Sequence, residues 1–351
     1  MVPFHYFLML VGVSASLTAI LTPVVIRSAI KYDIVDHPGF HKTHTTAKPL
    51  LGGLAIYLSF MITFMLFLPF NGKFTSIIIA TAILVLTGYY DDVLNIKPLA
   101  KLSGQVVAAA VVVFYNYERF FVLNDFFARY GFPTFITLVL IIGWIVLMIN
   151  AFNLIDGLDG LAVGVGIIIL LSMSLNTYLL GGSLNILSLQ LICLGACVGF
   201  LPYNFNPASQ FMGDTGSMLL GFLLSLTFLF AITSPFSSTL VVSSAFIFAY
   251  PALDVSYAIY RRLRGRCSIL KADRCHIHHV IRSLGFSIRQ TVLIIYLINA
   301  LFAGIGVTLL FLNISAYVMT AIGITTALCA LLVFRYLARL SKRNGLSMES
   351  L

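Results

Sequence analysis

Long apolar segments alternate with short polar ones along almost the whole chain of 351 residues. Each apolar segment is close to the ~20 residues that an α-helix needs to cross the hydrocarbon core of a bilayer. The pattern predicts an all-α, polytopic integral membrane protein with about eleven transmembrane helices. The predicted spans are residues 4–26, 51–69, 74–90, 102–116, 133–151, 160–180, 187–203, 215–233, 238–257, 290–311 and 314–336. No linker or internal repeat interrupts the pattern, so residues 1–351 are predicted to form a single transmembrane domain.

The composition excludes a soluble globular fold. Hydrophobic residues make up 60% of the chain, charged residues only 9%, and the mean hydropathy is +1.02. So few polar side chains cannot cover the surface of a water-soluble globule.

The distribution of basic residues predicts the orientation of the chain. If the N-terminus is outside, all of the 21 Lys and Arg residues except Lys73, Arg119 and Arg129 fall in cytoplasmic loops or in the C-terminal tail. This asymmetry is typical of the positive-inside rule, so we expect the N-terminus outside and the C-terminus in the cytoplasm. It also explains much of the net charge of +9 without a nucleic-acid partner.

Five of the twelve acidic residues lie in three short motifs at the ends of apolar segments. The motifs are GYYDD with Asp91 and Asp92, NLIDGLDGL with Asp156 and Asp159, and FMGDTGS with Asp214. The predicted orientation places all three at the cytoplasmic face. Placing a carboxylate beside the bilayer costs at least a few kcal/mol of free energy. An acidic residue at such a position therefore usually has a function. Grouped acids at a membrane surface suggest a divalent metal and phosphate chemistry.

The adjacent acids of the first motif are candidate catalytic residues. Successive helical residues point about 100° apart, so one of Asp91 and Asp92 can face a metal or substrate while the other meets a neighbouring cation. Lys101, at the start of the next predicted helix, is placed to bind a phosphate as a point charge. The alternative is a solvated turn at the interface.

The second motif carries polar residues at intervals of three. Asn153, Asp156 and Asp159 therefore line one side of a helix end. Asp156 and Asp159 are candidate catalytic residues, and Asn153 is a candidate metal ligand. Oxygen ligands suit Mg²⁺ or Mn²⁺ better than zinc. The alternative is a helix break at which the acids, Asp159 above all, cap the next span.

The third motif opens the span at 215–233. Asp214 is a candidate metal ligand beside the other acidic clusters, and the amides at this helix start would attract a phosphate. The alternative is that Asp214 or Thr215 simply caps the helix.

The longest cytoplasmic loop is basic and carries a histidine motif, HIHH. His276, His278 and His279 are too closely spaced to form a zinc site from one strand, so we expect them to donate hydrogen bonds to phosphate oxygens or a leaving group. The alternatives are acid–base catalysis and a soluble loop without a function. The preceding RRLRGR, with Arg262 and Arg264, either binds substrate or only provides a positive-inside signal and lipid contacts. Asp254 is interpreted as structural, as a partner of residues later on the same predicted helix.

Together these motifs resemble the polyprenyl-phosphate N-acetylhexosamine-1-phosphate transferase family. GYYDD, KPLAK, NAFNLIDGLDGL, FMGDTGS and HIHH occur in that family's order, and the resemblance covers nearly the whole chain. HIHH and HPGFHK most resemble its bacterial N-acetylglucosamine branch. The resemblance implies transfer of N-acetylglucosamine 1-phosphate from UDP-GlcNAc to undecaprenyl phosphate, with release of UMP, as the first membrane step of O-antigen or common-antigen type polysaccharide synthesis. Another UDP-N-acetylhexosamine stays open as the donor.

The resemblance also implies an eleven-helix bundle in the bacterial inner membrane, a cytoplasmic cleft, Mg²⁺ with Mn²⁺ as a substitute, contact with membrane lipid, and a homodimer. By motif it implies metal-associated positions at Asn153 and Asp214 with Asp156 beside them, the essential acidic pair at Asp91 and Asp92, diphosphate binding at Lys101, and the histidine motif at His276, His278 and His279.

Two mechanisms and two other protein classes are compatible with parts of the pattern. The lipid phosphate attacks directly, or an Asp attacks first and forms an aspartyl-phosphate. An ion-coupled transporter would place its acids near the bilayer midplane, often with repeat symmetry. An intramembrane aspartyl protease would not need Lys101, Asn153 or the histidines.

Overall fold

The computed structural model describes residues 4–38, 46–69, 71–233, 236–264 and 276–343, without the side chains of residues 261, 263, 264 and 338–343. The described residues form helices and one short antiparallel sheet. The helices are α1 (Phe4–Lys31), α2 (Gly52–Phe67), α3 (Gly72–Leu94), α4 (Pro98–Tyr115), α5 (Tyr117–Ala128), α6 (Thr134–Ile155), α7 (Leu161–Leu179), α8 (Leu184–Asn204), α9 (Gly213–Ile232), α10 (Ser238–Ile247), α11 (Ala249–Arg264), α12 (Ile277–Ser283), α13 (Ile288–Phe311) and α14 (Ala316–Arg343).

The predicted all-α polytopic membrane architecture is confirmed. Within the described residues, nine helices are long and apolar enough to cross a membrane: α1, α3, α4, α6, α7, α8, α9, α13 and α14. The other two predicted spans correspond to α2, which has only 16 residues, and to α10 and α11, which meet at a bend of 72°. The count of eleven spans and the orientation therefore stay predictions.

The sheet ties the loop after α1 to the start of α9. Strand β1 (Val35–Asp36) pairs with β2 (Lys48–Pro49), and the carbonyl of Pro49 accepts a hydrogen bond from the amide of Phe211 at 2.9 Å. The amide of Gly53 then donates to the carbonyl of Met212 at 2.9 Å. These backbone bonds fix the segment that leads into Asp214.

Helix α9 is at the centre of the bundle. All residues of its most apolar 18-residue stretch are buried, whereas only 11% of the residues in the corresponding stretch of α14 are buried. A Cβ at Gly53 would lie 2.1 Å from the amide nitrogen of Gly216, and one at Gly88 would lie 2.5 Å from the Cα of Thr215. Small residues allow such close helix contacts in membrane proteins. Because Gly88 is one turn before Asp92 on α3, this contact brings Asp92 to the start of α9.

We expect Gly88→Ala to separate α3 from α9 and to reduce both stability and activity. The added methyl group would meet the rigid backbone of Thr215, and overpacking of this kind typically costs about 1–3 kcal/mol. The matched control is Gly143→Ala in α6, where a Cβ would meet nothing within 4 Å. Thermal unfolding in detergent should show a lower Tm for Gly88→Ala only; equal Tm values for the two variants would contradict the proposed contact.

Candidate active site

Side chains from four helix ends meet around the ammonium group of Lys101. Its Nζ lies 3.0 Å from Oδ2 of Asp91, at the end of α3, and 3.3 Å from Oδ1 of Asn153, at the end of α6. It also donates to Oδ2 of Asp214, at the start of α9. Lys101 itself is in the first turns of α4. Three oxygen atoms from distant stretches of the chain thus surround one cation, and we call these four residues the cation cluster.

Asn153 is held in a defined orientation. Its Nδ2 donates to Oδ1 of Asp214 at 2.7 Å and to Oγ of Ser217 at 3.0 Å. The amide oxygen of Asn153 therefore points toward Lys101, as a ligand of a cation would. Ser217 was not predicted to belong to the site, although it lies three residues after Asp214 and so on the same side of α9.

Asp92 has a different task from its neighbour Asp91. Its Oδ1 accepts from the amide of Asp214 at 2.7 Å, and its Oδ2 accepts from the amide and the hydroxyl of Thr215 at 3.1 Å and 2.6 Å. The suggestion that Asp214 or Thr215 caps α9 is wrong: Met212 precedes the helix and no side chain of its own caps it. Asp92, on α3, supplies the capping carboxylate instead. Its oxygens satisfy the first amides of α9, which would otherwise attract a phosphate.

The two acids of the loop between α6 and α7 have different surroundings. Asp159 accepts from Nδ2 of Asn206 at 2.8 Å and from the amide of Ala208 at 3.0 Å, so it holds the loop between α8 and α9. Asp156 directly follows α6. Burial raises the pKa of its carboxyl well above the usual range, and the charges of Asp214, Asp92 and Asp159 raise it further.

The histidine motif begins α12 and lies against the same loop. His276 and His278 are buried, and the rings of these two residues are nearly parallel with centroids 5.8 Å apart. A Cβ at Gly157 would be 2.9 Å from Nε2 of His278, so this ring touches the residue after Asp156. Burial lowers the pKa of His278 well below its usual value, and the neighbouring His279, His276 and Arg282 act in the same direction. At neutral pH His278 is therefore an uncharged imidazole.

Other candidate residues of this region are only partly described. Arg262 is half-buried on α11, whereas the side chain of Arg264 lies outside the described residues. Asp254 pairs with His276: its Oδ2 is 2.7 Å from Nδ1 of His276. The sequence interpretation of Asp254 placed its partner on its own helix and did not foresee this contact with a residue 22 positions later in the chain.

Comparison with known proteins places this cluster in a family. Residues 74–233, which include the whole cation cluster, match the family described as glycosyl transferase family 4. The chain is 35% identical, over 83% of its length and 81% of the other protein, to a probable undecaprenyl-phosphate N-acetylglucosaminyl 1-phosphate transferase of Bacillus subtilis (strain 168). The chain belongs to glycosyl transferase family 4. The resemblance stated from the motifs is thereby confirmed.

Two further relatives of this glycosyl transferase show the same relationship. The chain is 32% identical to the undecaprenyl-phosphate alpha-N-acetylglucosaminyl 1-phosphate transferase of Escherichia coli (strain K12), over 80% of the chain and 78% of that protein. It is 32% identical to a decaprenyl-phosphate N-acetylglucosaminephosphotransferase of Mycolicibacterium smegmatis, over 83% of the chain and 79% of that protein. The histidine motif at 276–279 lies beyond the matched family region, so its place in the site rests on the geometry above.

The cation cluster of this glycosyl transferase fits a hard divalent metal. Among the described residues, no three His, Cys, Asp or Glu side chains are arranged to hold a metal ion. The cluster instead combines the carboxylates of Asp91 and Asp214 with the amide oxygen of Asn153, all directed at a single cation. Such oxygen-only sites, with few protein ligands, suit Mg²⁺, which usually keeps several waters and binds substrate phosphates as well.

Proposed function

We propose that this protein transfers N-acetylglucosamine 1-phosphate from UDP-GlcNAc to undecaprenyl phosphate. An oxygen of the lipid phosphate forms a bond to the sugar-linked phosphorus, the bond from that phosphorus to the bridging oxygen breaks, and UMP leaves. The products are undecaprenyl-diphospho-GlcNAc and UMP. The observation that carries the proposal is the convergence of Asp91, Lys101, Asn153 and Asp214 inside the matched family region.

The printed names of the relatives support the substrates. Those from Bacillus subtilis and Escherichia coli are named for undecaprenyl phosphate, and the mycolicibacterial one for decaprenyl phosphate. All three names specify N-acetylglucosamine. We extend these substrates to this chain, with UDP as the nucleotide of the donor and a surface polysaccharide as the destination of the product.

The site is proposed to face the cytoplasm from the bacterial inner membrane. The ends of α3 and α6 and the starts of α4 and α9 meet at the cation cluster, so they lie at one end of the bundle. The loop after Lys31 and the loop before Lys101 are at this end of the bundle. The ion pair of Lys73 and Glu118, 2.9 Å long, is at the start of α3 and therefore at the opposite end of the bundle. The excess of Lys and Arg at the first end supports a cytoplasmic location.

Asp91, Asn153 and Asp214 are the residues that would hold Mg²⁺, with Mn²⁺ as a substitute. The bound ion would offset the negative charge of the diphosphate and of the departing UMP. Lys101, whose ammonium group binds these same oxygens, has a long side chain that would bind a phosphate oxygen if a metal ion held the carboxylates. Asp92 keeps the start of α9, and with it Asp214, in position.

We propose direct attack by the lipid phosphate. A phosphomonoester with a second pKa near 6 is largely dianionic at neutral pH, so it needs no strong base. Three carboxylates are poorly suited to a covalent step. Asp91 and Asp214 bind Lys101. Both oxygens of Asp92 accept hydrogen bonds from the start of α9. Arg262 then provides positive charge, and the histidine motif borders the loop that carries Asp156.

The test is a transfer assay with the purified protein in detergent. UMP release from UDP-GlcNAc should require both undecaprenyl phosphate and Mg²⁺, should stop with a chelator, and should match the sugar phosphate recovered in lipid. UDP-N-acetylgalactosamine and UDP-glucose in parallel reactions define the donor sugar. Release of UMP without a lipid acceptor, or a labelled aspartyl-phosphate that forms before lipid is added, would contradict direct transfer.

A further inference from the structure

A buried carboxylate supports the histidine motif from a neighbouring helix. Asp254, on α11, is only 1% exposed. Its Oδ2 lies 2.7 Å from Nδ1 of His276, and its Oδ1 accepts from the amide of Ile277 at 2.7 Å. Both carboxylate oxygens of Asp254 therefore bind groups at the start of α12. No described side chain of α12 itself caps this start, so Asp254 supplies the cap from outside.

The contact fixes which nitrogen of His276 carries the proton. Carboxylate oxygens accept hydrogen bonds, so we assign Nδ1 of His276 as the donor to Oδ2 of Asp254. In the neutral ring Nε2 is then the nitrogen with a free lone pair. Among the described residues, Nε2 of His276 is buried and has no hydrogen-bond partner. A buried polar atom without a partner is costly, and such atoms are often kept for a ligand or for catalysis.

The orientation of His276 affects the other two histidines of the motif through contacts between the rings. Its ring lies parallel to that of His278, which in turn is 4.2 Å from the ring of His279, between centroids. His278 contacts Gly157 in the loop that carries Asp156. A rotation of His276 would therefore displace the histidines that border the acidic loop.

We propose that Asp254 is a positioning residue for transfer: it holds His276 as the Nδ1-protonated tautomer and orders the histidine motif against the loop at Asp156. The proposal deepens the proposed function and rests on it, because the motif is taken to serve phosphoryl transfer. Asp254 does not touch substrate itself. Its effect on the reaction is exerted through His276.

The decisive variant is Asp254→Asn. An Asn at this position keeps an oxygen for the amide of Ile277, but its NH₂ group can only donate toward Nδ1 of His276, which forces the proton to Nε2. We expect transfer to fall by about 10²-fold or more, as for a buried Asp that orients a functional histidine. Thermal unfolding should stay close to that of the unmodified protein. Asp125→Asn, at an exposed position of α5, is the control and should transfer normally.

A double-mutant cycle separates positioning from a general structural effect. His276→Asn keeps a donor for Asp254 but lacks Nε2. If Asp254 acts through His276, adding Asp254→Asn to His276→Asn should produce almost no further loss. Losses that multiply, normal transfer by Asp254→Asn, or a collapse of its Tm to that of Asp254→Ala would overturn the proposal.

A spectroscopic measurement keeps this test independent of the proposed function. Nitrogen NMR of histidine-labelled protein should show His276 protonated at Nδ1 in the unmodified chain and at Nε2 in Asp254→Asn, with His276→Asn identifying the signal. A proton on Nε2 in the unmodified chain would overturn the assignment of Asp254. If the unmodified protein released no UMP, the proposed function would fail, and the NMR result would still decide the role of Asp254.

Discussion

Asp214→Asn should reduce transfer on the order of 10³-fold, the scale of losing a preorganised electrostatic contact to the reacting phosphates. Asp214 binds Lys101 through one oxygen and accepts from Asn153 through the other. An Asn removes the negative charge that attracts a cation and places an NH₂ group where an acceptor is needed. Asp214 contributes this carboxylate from the start of α9, and no other described residue of α9 is acidic.

The measurement is the rate of UMP release at saturating UDP-GlcNAc, across a Mg²⁺ titration. High Mg²⁺ should restore little of the loss, because the missing carboxylate would also orient the proposed ion. Asp125→Asn removes the same charge from an exposed site on α5 and should keep the normal rate. Transfer by Asp214→Asn within about threefold of normal, an effect of less than about 1 kcal/mol, would remove this residue from the mechanism.

Lys101→Met should bind Mg²⁺ more tightly and yet transfer poorly. The ammonium of Lys101 occupies the point on which Asp91, Asn153 and Asp214 converge, so it would compete with the proposed metal ion for the same oxygens. Its removal leaves the carboxylates without their cation. We expect a lower Tm in chelator, a Kd for Mg²⁺ reduced on the order of tenfold, and a large loss of transfer, because the diphosphate then lacks its lysine partner.

The Mg²⁺-dependent rise in Tm measures this competition without an activity assay. Lys97→Met is the matched control: Lys97 is exposed, directly precedes α4 and is one helical turn from Lys101. Its Mg²⁺ response should equal that of the unmodified protein. A Kd for Mg²⁺ that is unchanged or weaker in Lys101→Met would show that the ammonium and the metal do not share a site.

The residues of the candidate site could be predicted from the sequence, but the separate role of each residue could not. Asp91, Asp92 and Lys101 were recognised because charged residues next to apolar segments are rare and costly. The angle between successive helical residues also predicted that one of Asp91 and Asp92 would face a metal or substrate and the other a cation, and Asp91 does bind Lys101. It could not predict that Asp92 would bind the backbone of another helix, because that depends on how closely α3 approaches α9.

The contact between Asp254 and His276 was missed for a similar reason. The residues are far apart in sequence and belong to different helices, so no spacing pattern connects them. Sequence spacing offered Asp254 only partners on its own helix, and the packing of α11 against the start of α12 supplied another one.

The sequence by itself determined the membrane architecture, the family and the list of chemical groups. Helix formation within the bilayer is a local requirement, since each segment must satisfy its own backbone hydrogen bonds, and apolar length reveals it. The tertiary structure decided which oxygen atoms surround Lys101, which aspartate caps α9 and which nitrogen of His276 carries the proton. These depend on distances of a few ångströms between helices, fixed by contacts such as that of Gly88 with Thr215.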